Sequence, residues 1–250
     1  MTDADLGPLP EWDLTDLYPG QDSDKLADDL KRIEKEAGSF RDRYKGKLAG
    51  LDGAAFGGAI AEFEAIDEAM GRVMSYAHLV YAGNVSDPDT GRFYQTMQEK
   101  ITAISAEILF FTLEINKLDD SDIAKKSKAA ETAHYAPWLR DTRARRAHQL
   151  DEELERLLHE KRVSGASAWI RLFDETMAGL EFTVDRKRLT SAEVFNLMSD
   201  PDGAVRKKAA KSIGKVLGRN VRLCALVTNT LAKDKEIEEL CRRPSCVYPS

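Results

Sequence analysis

Few residues of this chain could do chemistry at neutral pH, and its four histidines are the first to consider. His159 and Glu160 open the string HEKRV, whose first two letters match HExxH, a zinc-binding helix motif. Such a site needs a second imidazole one helical turn later, because ligands four residues apart share a helix face. That position is Val163. We therefore interpret His159 as a solvated residue of an ordinary helix.

Two further histidines lie beside residues that are expected to pack. His78 falls near an apolar helix face, where we interpret it as a hydrogen-bonded core or boundary residue rather than a metal ligand. His134 is next to Tyr135 and close to Trp138, so it could line a cleft or serve at the surface or as a cap. We favour the surface or capping role.

The three cysteines do not have the number or spacing of a disulfide framework. Cys224 lies within an apolar helical pattern and is predicted to be a small core residue. Cys241 and Cys246 have four residues between them and no histidine nearby, which disfavours a zinc site.

Phosphate-binding and acyl-transfer motifs are missing from the sequence as well. Gly53, Gly57 and Gly58 occur at a predicted helix start, with no strand before them and no Lys-Ser or Lys-Thr after them. The chain has no GxSxG motif. We therefore predict no catalytic, cofactor-binding or metal-binding residue within these 250 residues.

Composition is that of a folded protein with a real core. Hydrophobic residues make up 42% of the chain, charged residues 32%, and the formal net charge is −6. Acidic and basic residues look interleaved, and we interpret the basic clusters at 143–146, 186–188 and 206–208 as solvated faces or turns. Nucleic acid and membrane are thus not expected partners, and without an apolar leader or an 18-residue apolar run we predict the cytoplasm.

A long amphipathic helix over 87–118 is the strongest structural signal. Asp87 can cap it, and Pro88 suits the first helical position. At 1.5 Å per residue it would be about 46 Å long and would need a partner of similar length. Its apolar residues recur at steps of three or four: Phe93, Met97, Ile101, Ile104, Ile108, Phe111, Ile115 and Leu118.

That partner is predicted immediately upstream. A helical pattern over 54–83 connects to Asp87 through a short turn, so 54–118 should form an antiparallel helical hairpin. A further helix from Asp24 should pack on it. Before this helix, the segment WDLTDLY at 12–18 is predicted to be pinned to the core by its apolar residues, Trp12, Leu14, Leu17 and Tyr18.

Shorter elements are predicted after Leu118. They are a polar helix over 121–134, a helix starting near Pro137 with Trp138 as packing anchor, a helix ending near 163–165, and another over about 166–180. The alternating string LEFTVD at 180–185 predicts a strand that turns at Arg186 and Lys187. The fold class is therefore mainly α: a long antiparallel helical hairpin plus further helices, with one short β-hairpin near 180–190.

The last part of the chain begins with a clear helix start. Thr190 and Glu193 have the spacing of a capping box. Two consecutive helices are then predicted from Asp200 to about Glu239. Residues 239–250 form an atypical tail, since CRRPSCVYPS has no cap or amphipathic pattern. A disordered tail and a reading-frame error both remain open.

Six segments in the same order carry a family resemblance: WDLTDLY at 12–18, HYAPWLRD at 134–141, HQLDEELERLLHEK at 148–161, SAWIRLFDET at 167–176, the hairpin after it, and AKDKEI at 232–237. Together they resemble the N-terminal part of oligoendopeptidase F, a family of zinc metallopeptidases. The resemblance spans Trp12 to about Glu238. No single segment in it is catalytic.

The resemblance implies a helical lid and channel wall over 1–178, the beginning of a catalytic domain over 179–238, and the tail over 239–250. It also implies that the complete enzyme binds Zn²⁺ through a later HExxH and hydrolyses short oligopeptides, whereas this chain binds no metal and is inactive. The unusual last residues favour premature termination. The alternative hypothesis is a stand-alone helical adaptor that binds partners through the 54–118 hairpin.

Overall fold

Helices form almost all the regular structure of residues 11–243, which are those that the computed structural model describes. The predicted fold class is confirmed: the chain is mainly α, with one short β-hairpin near 180–190. The chain divides into two compact units, Met1–Arg143 and Ala144–Ser250.

The first unit contains seven helices within its described residues: α1 (Asp24–Tyr44), α2 (Gly53–Gly83), α3 (Pro88–Ile108), α4 (Phe110–Lys117), α5 (Asp120–Lys126), α6 (Ala130–Ala133) and α7 (Ala136–Arg143). Three of them begin at side-chain caps. The oxygens of Ser23, Asp52 and Asp87 accept backbone N–H groups at the starts of α1, α2 and α3. Capping explains why these starts are readable in the sequence.

Ring contacts establish that α2 and α3–α4 run antiparallel. The ring centroids of Tyr81 and Tyr94 are 5.0 Å apart, and those of Tyr76 and Phe93 are 5.9 Å apart. Further along, Phe63 of α2 stacks on Phe111 of α4 at 5.0 Å. Residue numbers fall along α2 as they rise along α3 and α4, which confirms the predicted helical hairpin.

The predicted single helix over 87–118 is interrupted at one residue. Leu109 separates α3 from α4, although its φ of −56° and ψ of −36° remain helical. The hydroxyl of Thr112 donates to the carbonyl of Leu109 at 3.3 Å. A hydroxyl that bonds a carbonyl of the preceding turn competes with the backbone ladder, and this bond lies at the break.

The predicted polar helix over 121–134 is wrong, since the structure has two shorter helices there, α5 and α6. Buried Lys126 donates its Nζ to the carbonyls of Ala49 and Leu51 and lies 5.5 Å from the Phe56 ring centroid. The Thr132 hydroxyl donates to the carbonyl of Gly53 at 2.6 Å. These contacts with the start of α2 bend the segment and end α5.

The segment 12–18 is only partly pinned to the core. Tyr18 is buried and its hydroxyl donates to Asp29 of α1 at 3.0 Å. Burial, and then this hydrogen bond, raise the pKa of Tyr18 to about 12. Leu14 and Leu17 are half-buried, but Trp12 is 66% exposed. The prediction that Trp12 is an anchor was therefore wrong, and Tyr18 holds the segment instead.

The second unit contains α8 (Glu152–Lys161), α9 (Ala166–Ala178), β1 (Phe182–Val184), β2 (Lys187–Leu189), α10 (Ser191–Asn196) and α11 (Gly203–Cys241). Its small core joins the hairpin to α11 through buried Phe182, Val184, Val194 and Ala209. The predicted capping box at the start of α10 is confirmed, with Thr190 and Glu193 exchanging hydrogen bonds.

The hairpin turns one residue earlier than predicted. Val184 pairs with Lys187, so the turn residues are Asp185 and Arg186 rather than Arg186 and Lys187. Both have positive φ, 48° and 69°. A two-residue hairpin favours this left-handed backbone because it matches the twist of the strands. The Asp185 carboxylate accepts a hydrogen bond from Lys208 of α11 at 2.8 Å, which holds the turn against the helix.

One helix replaces the two predicted from Asp200 to about Glu239. α11 begins after the cap Asp202 and continues for 39 residues, a length of about 58 Å. It ends at Cys241, so the first three residues of the predicted tail are helical. Arg242 caps the end and pairs with Glu238 and Glu155. Residues 244–250 of the predicted tail lie outside the described residues.

Candidate functional site

The incomplete HExxH motif fails in three dimensions as well as in sequence. His159 lies in the last turn of α8, which ends at Lys161, so Val163 is already outside the helix. Between residues 11 and 243, no group of three or more His, Cys, Asp or Glu side chains could hold a metal ion.

The other histidines lie apart from one another. His78 is exposed on α2, with its ring centroid 5.9 Å from that of Tyr94. His134 is exposed, and its ring centroid is 4.8 Å from that of Tyr135. The Nδ1 atom of His148 is 3.0 Å from the carbonyl oxygen of Arg242. The structure thus brings no pair of them together for acid–base chemistry.

The described cysteines are partly exposed residues of α11. Cys224 is half-buried, so the prediction that it belongs to the core is only partly met. Cys241 is the last residue of the helix and is also half-buried. Cys246 lies outside the described residues.

An open groove lies between α1 and α3 in the first unit. Its cavity volume is about 980 Å³. Apolar side chains on its walls are Leu26, Leu30, Phe93, Met97 and Ile104. Such walls suit the side chains of an apolar or amphipathic peptide.

Charges around this groove balance. Three basic side chains, Lys31, Arg92 and Lys100, accompany three acidic ones, Asp22, Glu34 and Asp89. Arg92 and Asp89 form an ion pair at 3.0 Å. No histidine or cysteine is among the lining residues of this groove.

The sequence suggests that Arg143 belongs to a solvated basic cluster. In the structure it is instead a structural residue. Its side chain is 9% exposed. The guanidinium donates to the carbonyls of Ile115 at 2.5 Å and Leu118 at 2.8 Å and pairs with Asp120 at 2.7 Å. It satisfies carbonyl groups at the end of α4, where helices leave acceptors unpaired.

A polar network joins the start of α8 to the end of α11. Arg242 donates two hydrogen bonds to the Glu155 carboxylate, at 2.5 and 2.9 Å. Glu155 also accepts from the Leu150 backbone N–H at 2.9 Å. Burial alone would raise the pKa of Glu155, but the hydrogen bonds from Arg242 and Leu150 outweigh it and hold that pKa below its ordinary value.

This network predicts a pH dependence within the second unit. A carboxylate with a depressed pKa stabilises the fold above its ordinary pKa of 4.5 and loses that contribution as the pH falls through the lower folded value. Arg242→Gln removes the strongest partner but keeps the burial, so the pKa of Glu155 should rise. Carboxyl-carbon NMR titration of both proteins measures this. An unchanged pKa would show that the pair does not control the carboxylate.

Apolar side chains remain exposed in the second unit. On α9, Ile170, Leu172 and Phe173 are 51%, 39% and 40% exposed. On α11, Val221 and Leu226 are 59% and 54% exposed. Exposed apolar side chains of this size are typical of surfaces that another part of a protein or a partner covers.

None of the helices within residues 11–243 combines the length and the hydropathy that a membrane span requires.

Comparisons with known proteins agree with this helical architecture. The family model described as oligopeptidase F matches residues 114–182, from the end of α4 to the start of β1. No curated protein matches the chain.

Solved structures extend the likeness to most of the chain. Oligoendopeptidase-F from Enterococcus faecium matches with a TM-score of 0.78 at 21% identity, over 88% of this chain and 45% of that one. A putative peptidase from Chlamydophila abortus matches with a TM-score of 0.52 at 16% identity, over 94% of this chain and 40% of that one. The chain thus spans less than half the length of either structure.

The predicted resemblance to the N-terminal part of oligoendopeptidase F is therefore confirmed. At identities of 21% and 16%, the structural matches define the fold alone.

Proposed function

We propose that this chain is the N-terminal, non-catalytic part of an oligoendopeptidase F-like zinc metalloendopeptidase that hydrolyses short peptides in the cytoplasm. In this proposal residues 1–178 form the wall and lid of a peptide channel, and residues 179–238 begin the catalytic domain. The fold match to oligoendopeptidase-F over 88% of the chain is the observation that carries it.

The exposed apolar side chains support the same proposal. A wall that closes over a catalytic half needs a surface on which that half can pack, and α9 and α11 offer one through Phe173 and Val221. The helical hairpin of α2 and α3–α4, with its buried aromatic core, provides a stiff support for such a wall.

Zinc is the implied cofactor of the complete enzyme, and the residues described here do not fit it. Val163 stands where an HExxH motif has its second histidine, and residues 11–243 hold no cluster of possible ligands. No catalytic step can therefore be assigned to this chain. The ligands and the water-activating glutamate would be supplied by a part of the protein beyond the region matched here.

We expect the purified 250-residue chain neither to retain zinc after dialysis nor to hydrolyse an internally quenched oligopeptide. Metal content by mass spectrometry and fluorescence release measure the two properties. The matched control is His159→Ala, which should change neither result. Stoichiometric zinc in the wild-type chain, lost in His159→Ala, would overturn the assignment of His159 as an ordinary helix residue.

The nucleotide sequence downstream of codon 250 tests the proposal most directly. An HExxH coded there, in any frame, is expected. The product that includes it should cleave oligopeptides, and replacing the motif glutamate by glutamine should abolish cleavage. A long downstream stretch without the motif would instead favour a helical adaptor that binds partners through the α2 and α3–α4 hairpin.

A further inference from the structure

The charge of α11 differs from that of the rest of the chain. Residues 203–233 contain no aspartate or glutamate, in a protein whose formal net charge is −6. The same residues include eight basic ones: Arg206, Lys207, Lys208, Lys211, Lys215, Arg219, Arg222 and Lys233. The interpretation of interleaved charges does not hold for this helix.

Five of these residues form what we call the basic stripe: Lys208, Lys211, Lys215, Arg219 and Arg222. Their spacing of three, four, four and three places them within a sector of about 80° on the helix. All five are exposed, whereas Ala209 and Ser212 on the adjoining face are buried. At 1.5 Å per residue the stripe is about 21 Å long.

Four residues of the basic stripe have no carboxylate partner within the described chain. Lys208 pairs with Asp185 at 2.8 Å, but Lys211, Lys215, Arg219 and Arg222 form no ion pair with any described residue. The helix α1 is different, since Asp28–Lys31, Asp29–Arg32 and Arg32–Glu36 pair along its surface. An ordinary solvated face would resemble α1.

Helix stability does not explain the stripe either. Basic residues gain from the helix dipole near the C-terminus, and α11 continues to Cys241, well beyond Arg222. Like charges three or four residues apart also repel one another and destabilise the helix slightly. An interaction outside the helix must therefore favour these basic side chains.

We propose that the basic stripe binds the acidic segment of a short peptide. A stripe of about 21 Å matches about six residues of extended chain at 3.3 Å each. Leu226 continues the same face one turn after Arg222 and is 54% exposed, so it suits an apolar residue that follows the acidic ones. The proposal rests on the proposed function in one respect, that the ligands of this protein are peptides.

Other polyanions fit the surface less well. Residues 203–241 contain no aromatic side chain on which a base could stack, and the net charge of −6 repels a long polyanion. Binding to an anionic membrane would require several apolar side chains on the charged face. Leu226 is the one exposed apolar side chain that continues the face of the basic stripe.

Fluorescence anisotropy with the 250-residue chain tests the proposal. The probe is a fluorescein-labelled peptide of six glutamates followed by leucine, with a six-lysine peptide as its counterpart. We expect binding of the acidic probe that weakens as salt rises, since exposed charges are screened beyond about 10 Å at 0.1 M. The variant Lys211→Gln/Lys215→Gln/Arg219→Gln/Arg222→Gln should bind it roughly tenfold more weakly or worse.

A matched control variant lowers the net charge by the same four units as the stripe variant. Lys35→Gln/Lys117→Gln/Lys125→Gln/Lys128→Gln removes four exposed lysines of the first unit, none of which lines its groove, and should bind like wild type. The double variant Lys211→Gln/Lys215→Gln should be intermediate, and circular dichroism should show wild-type helix content in all three. Glutamine is chosen because its helix propensity is close to that of lysine.

Three results would overturn the proposal: no binding of the acidic probe by wild type, equal weakening by the stripe and control variants, or tighter binding of single-stranded DNA or phosphatidylserine vesicles than of the probe. None of these measurements depends on zinc or hydrolysis. A failure here would leave the peptidase proposal standing, and a failure of that proposal would not remove the measured binding.

Discussion

Phe111→Ala should lower the free energy of unfolding of the first unit by about 3–5 kcal/mol, the range for removing a buried aromatic side chain. Phe111 is 0% exposed. Its ring centroid is 5.0 Å from those of Phe40 and Phe63 and 6.5 Å from that of Trp138. The side chain thus joins α1, α2, α4 and α7, and its loss leaves a cavity that four helices cannot close together.

Urea denaturation followed by circular dichroism measures this loss. Phe111→Leu keeps an apolar side chain at the site and should cost about 1 kcal/mol. Trp12→Ala removes a ring of the same unit that is 66% exposed and should change stability by less than about 0.5 kcal/mol. Similar losses in Phe111→Ala and Trp12→Ala would contradict the assignment of the aromatic cluster as the core of the unit.

Gly57→Ala is the second variant with a large expected effect. A Cβ atom at Gly57 would lie 2.5 Å from the Glu131 carbonyl carbon and 2.7 Å from the Thr132 nitrogen. Both are backbone atoms, which cannot rotate away as a side chain could. We expect a loss of about 3 kcal/mol or more in the free energy of unfolding, at the upper end for overpacking.

The neighbouring residue provides the control. Gly58 is exposed on the same helix, and a Cβ atom added there would meet no atom within 4 Å beyond its chain neighbours and the local helix backbone. Gly58→Ala should therefore be neutral or stabilise the protein by up to about 1 kcal/mol, because alanine favours the helix. Thermal unfolding of the two variants should differ clearly. Equal melting temperatures would show that α6 is not held against α2.

This close packing also gives the glycines a role. The sequence shows that Gly53, Gly57 and Gly58 lack the context of a phosphate loop, but it does not show what Gly53 and Gly57 do. In the structure a Cβ at Gly53 would lie 2.5 Å from the Lys126 carbonyl oxygen. Both glycines let the backbone of 126–132 approach α2, and this approach needs two segments that are about seventy residues apart.

The strength of local signals explains which elements could be predicted. Caps at Ser23, Asp52 and Asp87 and the box at Thr190 act within one turn, so their residues are visible as short patterns. The division of α5 from α6 and the exposure of Trp12 depend on distant or weak contacts. No pattern in the neighbouring residues reveals them.

The charge pattern of α11 could have been predicted in part, because the sequence shows that 203–233 lack acidic residues. The basic residues share one face, however, only because they belong to one unbroken helix. Two predicted helices would have divided Lys211 and Arg222 between different faces. The single helix aligns them, and this alignment creates the proposed peptide site.

By itself the sequence determined that the protein is mainly helical, that 54–118 fold as a hairpin, and that no zinc motif is complete. These properties follow from spacing, caps and residue type, which act over a few positions. Tertiary structure decided where Arg143, Lys126 and Gly57 lie and which apolar side chains stay exposed. Burial and close approach join residues far apart in the chain, and their free energies depend on distances that no local pattern contains.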